Sequence, residues 1–253
     1  MTNDLLGDRM KTQYENRTRI MLPRRTYTII RLDGKAFHSF TKGMKRPFDK
    51  GFMNVMDETS KFLCKEIQGA IMGYTQSDEI SILLTDFEKD TTDAWFDGNI
   101  QKIVSVSASM AGTIFNHWMN TNWGGPVKPK GLAFFDARTF TIPDPTEVEN
   151  YFIWRQKDAT RNSLSMHAQT LFSHKELNGK SQEVLHNMIH EKEENWNDLP
   201  NGFKRGRTYY KKEKHIMSED LFDQTIYTKK SWELSTPDFL KEREFLTNLI
   251  PKL

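Results

Sequence analysis

The sequence predicts an α+β fold of the ferredoxin-like kind, and three observations carry that prediction. Segments 26–33, 70–76, 80–86 and 132–142 are rich in β-branched and aromatic residues and read as strands. Segments from about 49 to 67 and from 98 to 119 read as helices. Their order over residues 1–142 is strand, helix, strand, strand, helix, strand. That is the split βαβ, or βαββαβ, pattern, which also forms the core of polymerase palm domains and nucleotidyl cyclases.

The elements follow in order. Residues 8–22 are polar and basic, with Arg9, Lys11, Arg17 and Arg19, and predict a helix leading to Pro23. The strand 26–33 ends on a carboxylate, Asp33, followed by Gly34, which permits a tight turn and close backbone approach. After a loop with Lys42, Lys45, Arg46 and Pro47, the helix 49–67 puts Phe52, Val55, Met56, Thr59, Leu63 and Ile67 on one face. Residues 70–76 and 80–86 pair as a hairpin with Ser77, Asp78 and Glu79 at its tip, and its second strand reads as mostly half-buried. The helix 98–119 is rich in small residues from Ser105 to Gly112, which allow close packing on a sheet. Residues 120–130 are turn-rich, with Gly124-Gly125-Pro126. The strand 132–142 carries Phe134, Phe135, Phe140 and Ile142.

Beyond Pro145 the chain is helical and charged. A helix over 146–172 is anchored by Tyr151, Phe152, Trp154 and Leu164, and another spans 181–195. Residues 202–216 read as a basic β-hairpin with paired tyrosines, and a short helix covers 236–249. Residues 1–142 thus form the core, and 143–253 a helical and hairpin extension packed on it as one structural unit.

Of 253 residues, 37% are hydrophobic and 28% charged, enough for a sizeable core. The net charge of +2 does not by itself argue for nucleic acid, so any basic surface comes from segregated charge. The single cysteine, Cys64, excludes an intramolecular disulfide and a cysteine-based zinc cluster. It sits beside Phe62, Leu63 and Ile67 as a buried structural thiol. Residues 1–10 lack the apolar run of a signal peptide, and no stretch approaches the roughly 20 apolar residues of a membrane span. A cytoplasmic protein is expected.

The chemistry concentrates at two acidic strand ends. If the strands pair, Asp33 faces Asp78 across the sheet. Carboxylates brought together this way repel unless a cation sits between them. A Mg²⁺ site for phosphoryl chemistry follows, since Mg²⁺ takes oxygen ligands and keeps several waters. Taken singly, Asp33 before a glycine and Asp78-Glu79 at a hairpin tip are more often turn residues. His167, His174, His186 and His190 lie on charged helices and read as surface residues without zinc spacing.

Four motifs, Arg31-Leu32-Asp33-Gly34-Lys35-Ala36-Phe37-His38, Gln76-Ser77-Asp78-Glu79, Phe135-Asp136-Ala137-Arg138 and Trp154-Arg155-Gln156-Lys157-Asp158, occur in sequence. Together they resemble the tRNA-His guanylyltransferase family, including its Thg1-like 3′-5′ polymerases, over residues 10–215. The resemblance implies a palm-like fold with two Mg²⁺ ions and nucleotide addition at the 5′ end of tRNA. By position, Asp33 and Asp78 become side-chain metal ligands, Gly34 gives its carbonyl, and Glu79 is the neighbouring catalytic acid. Lys35, Ala36, Phe37 and His38, with Ser77, would hold the triphosphate, and Arg46, Asp49 and Lys102 would add further contacts to it. GTP or other nucleoside triphosphates and ATP are the implied substrates, tRNA the implied partner and a homotetramer the implied assembly.

One departure matters. Guanylyltransferases of the family carry His-Ile-Asn-Asn-Leu-Tyr-Asn after the Trp-Arg-Gln segment. Here Thr160-Arg161-Asn162-Ser163-Leu164-Ser165-Met166 stands in its place, and only Asn162 and Leu164 match. This favours template-directed repair of 5′-truncated tRNA over non-templated addition of G−1 to tRNA-His. For RNA contacts, Lys204, Arg205, Arg207, Tyr209 and Lys211 of the basic hairpin, and Lys157 and Arg161 one helical turn apart, are candidates. A solvated basic face is the alternative. A non-catalytic RNA-binding protein with a degenerate palm and a nucleotidyl cyclase are the competing functions. The intact acid set argues against the first and the Trp-Arg-Gln segment against the second.

Overall fold

The computed structural model describes residues 5–125, 127, 129, 131–217 and 226–252, and of 213–217 and 226–229 the backbone alone. Helix α1 (Leu5–Gln13) and a 3₁₀ turn (Glu15–Thr18) lead to strand β1 (Tyr27–Gly34) and the one-turn helix α2 (Phe37–Phe40). Helix α3 (Lys50–Glu66), strands β2 (Ala70–Gln76) and β3 (Glu79–Leu84), helix α4 (Ile100–Thr121) and strand β4 (Phe135–Ile142) complete the first part. Helices α5 (Pro145–Leu171), α6 (His174–Leu177), α7 (Gln182–His190) and α8 (Asn201–Arg205) follow. Strands β5 (Arg207–Met217) and β6 (Ile226–Ser235) and helix α9 (Arg243–Leu249) end the described chain.

Among the described residues the strands form one antiparallel six-stranded sheet in the order β4-β1-β3-β2-β5-β6. The expected order of elements is present, and β1 lies between β3 and β4. Side-chain alternation divides the core into two layers. Ile30, Leu32, Ile80, Ile82 and Leu84 meet Val55, Met56 and Leu63 of α3 and Ile103, Ala111 and Phe115 of α4. Tyr27, Ile29, Met72, Tyr74 and Leu83 point the other way, onto Val148, Tyr151 and Phe152 of α5 and onto Phe239 and Leu246. All six residues of β3 are buried, because helices cover both faces of the central strand. The half-buried reading of that strand is corrected accordingly.

Other boundaries also move. Of the expected helix 8–22, α1 ends at Gln13 with no buried residue. The helix expected over 181–195 stops at His190, and the last one starts at Arg243 rather than 236. The largest correction is the basic hairpin. Residues 201–205 are helical, Gly206 turns the chain at φ +80°, and β5 is one long strand between β2 and β6. The β5–β6 connection and Pro126 lie outside the described residues. Residues after Pro145 therefore add two strands to the sheet and a helix to its second face. Cys64 is buried, and burial pushes its thiol up to about 12, as a structural thiol requires.

Candidate functional site

The end of β1 and the β2–β3 turn converge on one cavity of about 550 Å³. Ser77 and Asp78 make a two-residue turn in which Ser77 takes φ +46°, a left-handed backbone. The Gly34 N–H donates to the Asp78 carbonyl at 3.2 Å and ties this turn to β1. Asp33, Gly34, Ser77 and Asp78 all line the cavity. The pairing differs from expectation in one respect: directly across the sheet from Asp33 stands Glu79, and Asp78 approaches Asp33 from the turn.

Burial pushes the Asp78 carboxyl above its ordinary range; a hydrogen bond from Ser77 opposes this, and the charges of Asp33 and Glu79 add to it. A folded carboxyl held above its unfolded value stabilises the fold below the unfolded value and loses that contribution as pH rises through the folded one. The metal-free protein is therefore expected to lose thermal stability on this account as pH rises from the ordinary aspartate range, and Asp78→Asn to flatten the slope. Melting curves across pH 3 to 7 test this, a window of about that width being where carboxylates titrate.

The donor set suits Mg²⁺. Two carboxylates and the Gly34 carbonyl leave positions for water and substrate phosphate oxygens, the usual manner of binding this ion. Among the described residues no group of three or more His, Cys, Asp and Glu side chains could hold a metal ion, so a closed protein cage is not what this site offers.

The loop after β1 is shaped by sterics. A Cβ on Gly34 would lie 2.3 Å from the Phe37 ring, so only glycine fits. Phe37 is buried among Phe40, Phe52, Phe115 and Phe135 and anchors the loop. Ala36 is left-handed at φ +56°. The first turn of α2 leaves the amides of Phe37 and His38 without an intrahelical acceptor, and both residues line the cavity. His38 is exposed, its Nε2 3.0 Å from Ser39 Oγ. Lys35 is off the cavity lining, and its N–H donates to the Phe134 carbonyl at 2.8 Å. Lys45 and Arg46 line the rim. Asp49 is buried and caps α3, accepting from the Phe52 N–H at 3.1 Å and the Lys45 N–H at 3.3 Å. It thereby holds the basic loop in place.

Several expected roles are corrected. Glu79 turns toward α5, where Arg155 donates to both its oxygens at 2.8 and 2.7 Å, so it does not line the cavity. Lys102 stands at the start of α4, 5.9 Å over the Phe96 ring. Its neighbour Ile103 lines a small cavity with Thr28, at the opposite end of β1 from Asp33. Lys204 is buried against the Asn197 carbonyl, and Tyr209 is buried and stacked on Trp232 at 5.6 Å. Arg207 is buried in an ion pair with Asp57 and lines the cavity rather than the outer surface. The start of β5 is covered on both faces where it pairs with β2, so Arg207, Thr208 and Tyr209 are all buried. Arg205 pairs with Asp238 at 3.0 Å and Arg161 with Asp158, while Lys157 and Lys211 are exposed. His167 is buried against Glu194 at 2.6 Å, contrary to the surface reading.

The sequence reading missed the far wall. Ala159, Asn162, Ser163, Met166 and Gln169 form a stripe on α5, with Phe203 beside it. Their three- and four-residue spacing was the available signal. The Trp-Arg-Gln segment also gains a physical reason. Gln156 donates to the Arg205 and Pro237 carbonyls at 3.2 and 2.9 Å and accepts from the Phe239 N–H at 2.7 Å. It therefore ties α5 to the C-terminal segments.

The model of the Thg1 family, tRNAHis guanylyltransferase, matches residues 7–143, which include Asp33, Gly34 and Asp78. The chain belongs to this family. Its members are nucleotidyltransferases. A bacterial Thg1-like protein solved in complex with ATP is 44% identical, with a TM-score of 0.82 over 97% of this chain and 99% of that one. A bacterial Thg1-like protein in complex with GTP is 42% identical, with a TM-score of 0.76 over 98% and 99%. The tRNA(His) guanylyltransferase of Debaryomyces hansenii is 32% identical over 60% of this chain and 56% of its own length. The chain thus spans little more than half of that guanylyltransferase and nearly all of the bacterial Thg1-like chains. Among the described residues no helix is long and apolar enough to cross a membrane.

Proposed function

We propose that this protein adds nucleotides in the 3′-5′ direction to the 5′ end of truncated tRNA, directed by the opposite strand as template. One observation carries the reading: Asp33, Gly34 and Asp78 meet in a cavity of about 550 Å³ whose rim bears Lys45 and Arg46. A cavity of that size suits a nucleotide. The fold is read as palm-like, with 1–142 as the catalytic core and 143–253 packed on it. Two Mg²⁺ ions, held in part by Asp33, Asp78 and the Gly34 carbonyl, would activate the attacking 3′-OH and steady the leaving phosphate. Ser77 and the amides of Ala36, Phe37 and His38 would cradle the triphosphate, with Arg46 supplying charge. ATP would activate a 5′-monophosphate end, whereas a triphosphate end would react directly. Lys157, Arg161 and Lys211 remain the RNA-contact candidates, and a cytoplasmic homotetramer is the proposed form.

Non-templated addition of G−1 to tRNA-His is the second reading, favoured by the family itself. Against it stands the departing segment, whose Ser163 and Met166, at two of the positions that differ from the signature, line the cavity wall. A 5′-end extension assay on labelled, truncated tRNA tests the first reading, with Mg²⁺-dependent growth opposite the template strand expected. A tRNA-His transcript with adenine at the discriminator base separates the two. Failure to add G opposite adenine supports templated addition, and efficient addition there overturns it.

A further inference from the structure

The sheet register places Gln76, Glu79, Asp33 and Asp136 side by side on β2, β3, β1 and β4. Residues directly opposite on adjacent strands share a face, so three carboxylates stand in one row. Like charges in that arrangement repel. The flanking two are answered by arginines. Arg138 lies 3.3 Å from Asp136 at the surface. Arg155 meets Glu79 with a two-pronged bond in the interior, where their side chains are 7% and 11% exposed. Arg155 is itself fixed by Asp158 at 3.0 Å and by the Trp154 ring at 4.4 Å, and Gln76 donates to Glu79 at 3.3 Å. Among the described residues Asp33 has no ion pair.

Resting on the proposed nucleotidyl transfer, we infer that Arg155 is a positioning residue for the metal-binding turn. Its fork consumes both oxygens of Glu79, so Glu79 is not a metal ligand. Because Glu79 directly follows Asp78, the same fork sets where the turn ends. The turn is thus held from two sides, by α5 through Arg155 and by β1 through the Gly34 N–H on the Asp78 carbonyl. Arg155 offsets the charge of Glu79, and since Asp49 is turned to cap α3, the carboxylates left in the cavity for a cation are Asp33 and Asp78. Removing an outer partner of this sort shifts metal affinity because the ligand loses its orientation.

The test measures Mn²⁺ binding by calorimetry in the presence of a non-hydrolysable GTP analogue, beside thermal melts. Two variants preserve the charge balance: R155K, which keeps the cation and loses the planar fork, and the pair E79Q/R155M, which removes both charges. Both are expected to melt cooperatively and to bind Mn²⁺ about tenfold more weakly than the wild type. Wild-type Mn²⁺ affinity in folded R155K overturns the inference, because Arg155 then serves the fold alone. Loss of Mn²⁺ binding by folded E79Q/R155M as complete as in D33N also overturns it, because Glu79 is then a ligand. Wild-type Mn²⁺ affinity in D33N would instead refute the proposed site itself, which keeps the two failures apart.

Discussion

Asp33→Asn is expected to lower nucleotide addition to a 5′-truncated tRNA by about a thousandfold or more. A bound metal supplies several kcal/mol of charge stabilisation in such transfers, and about 1.4 kcal/mol is a factor of ten. The substitution keeps the shape of the side chain and removes the charge the ion requires. It should not unfold the protein. Asp33 is half-buried at the end of β1, and among the described residues no ion pair depends on it. Removing it also relieves repulsion with Asp78 and with Glu79 directly opposite. Melting temperature and far-ultraviolet circular dichroism should therefore match the wild type, while extension of a labelled tRNA disappears. Turnover like that of the wild type would remove the acid pair from the reaction.

The largest stability effect is expected at Arg207. This residue, on the first position of β5, pairs with Asp57 on α3 and donates to the Gly202 carbonyl at 3.0 Å. The pair joins residues 150 apart in the chain, so it links β5 to α3. Asp57 is held above its ordinary range by burial even with Arg207 beside it. Arg207→Met would leave that carboxylate buried without its partner, which costs about 3–5 kcal/mol. For a chain of this length that is a drop of roughly 10 °C in melting temperature. The pair D57N/R207M should recover most of the loss, because the uncompensated charge is gone. A single variant no less stable than the wild type by urea denaturation would show that the pair contributes nothing.

Much of the site was legible because its signals are local. A β-branched run ending in Asp33-Gly34 and a two-residue gap at Ser77-Asp78 each lie within one element. The helix over 49–67 was legible for the same reason, since its apolar face repeats at helical spacing and is buried throughout. Roles that depend on distant partners were not legible. Glu79 reads as a third acid beside Asp78 until Arg155, 76 residues later, is seen to hold it. Lys204, Arg207 and Tyr209 read as a basic RNA-facing patch because charge in a sequence carries no sign of burial. Their partners, Asn197, Asp57 and Trp232, are set by how β5 enters the sheet. Lys102 likewise sits one helix away from the acids in sequence order but at the other end of β1 in space.

The sequence by itself determined the βαββαβ order, the two acidic strand ends and the family, because hydrophobic period and turn chemistry act over a few residues. The tertiary structure alone decided which acids face the cavity, which are spent on arginines and which basic residues are buried. Those outcomes depend on strand register and helix docking, where a one-residue slip reverses the face of every side chain.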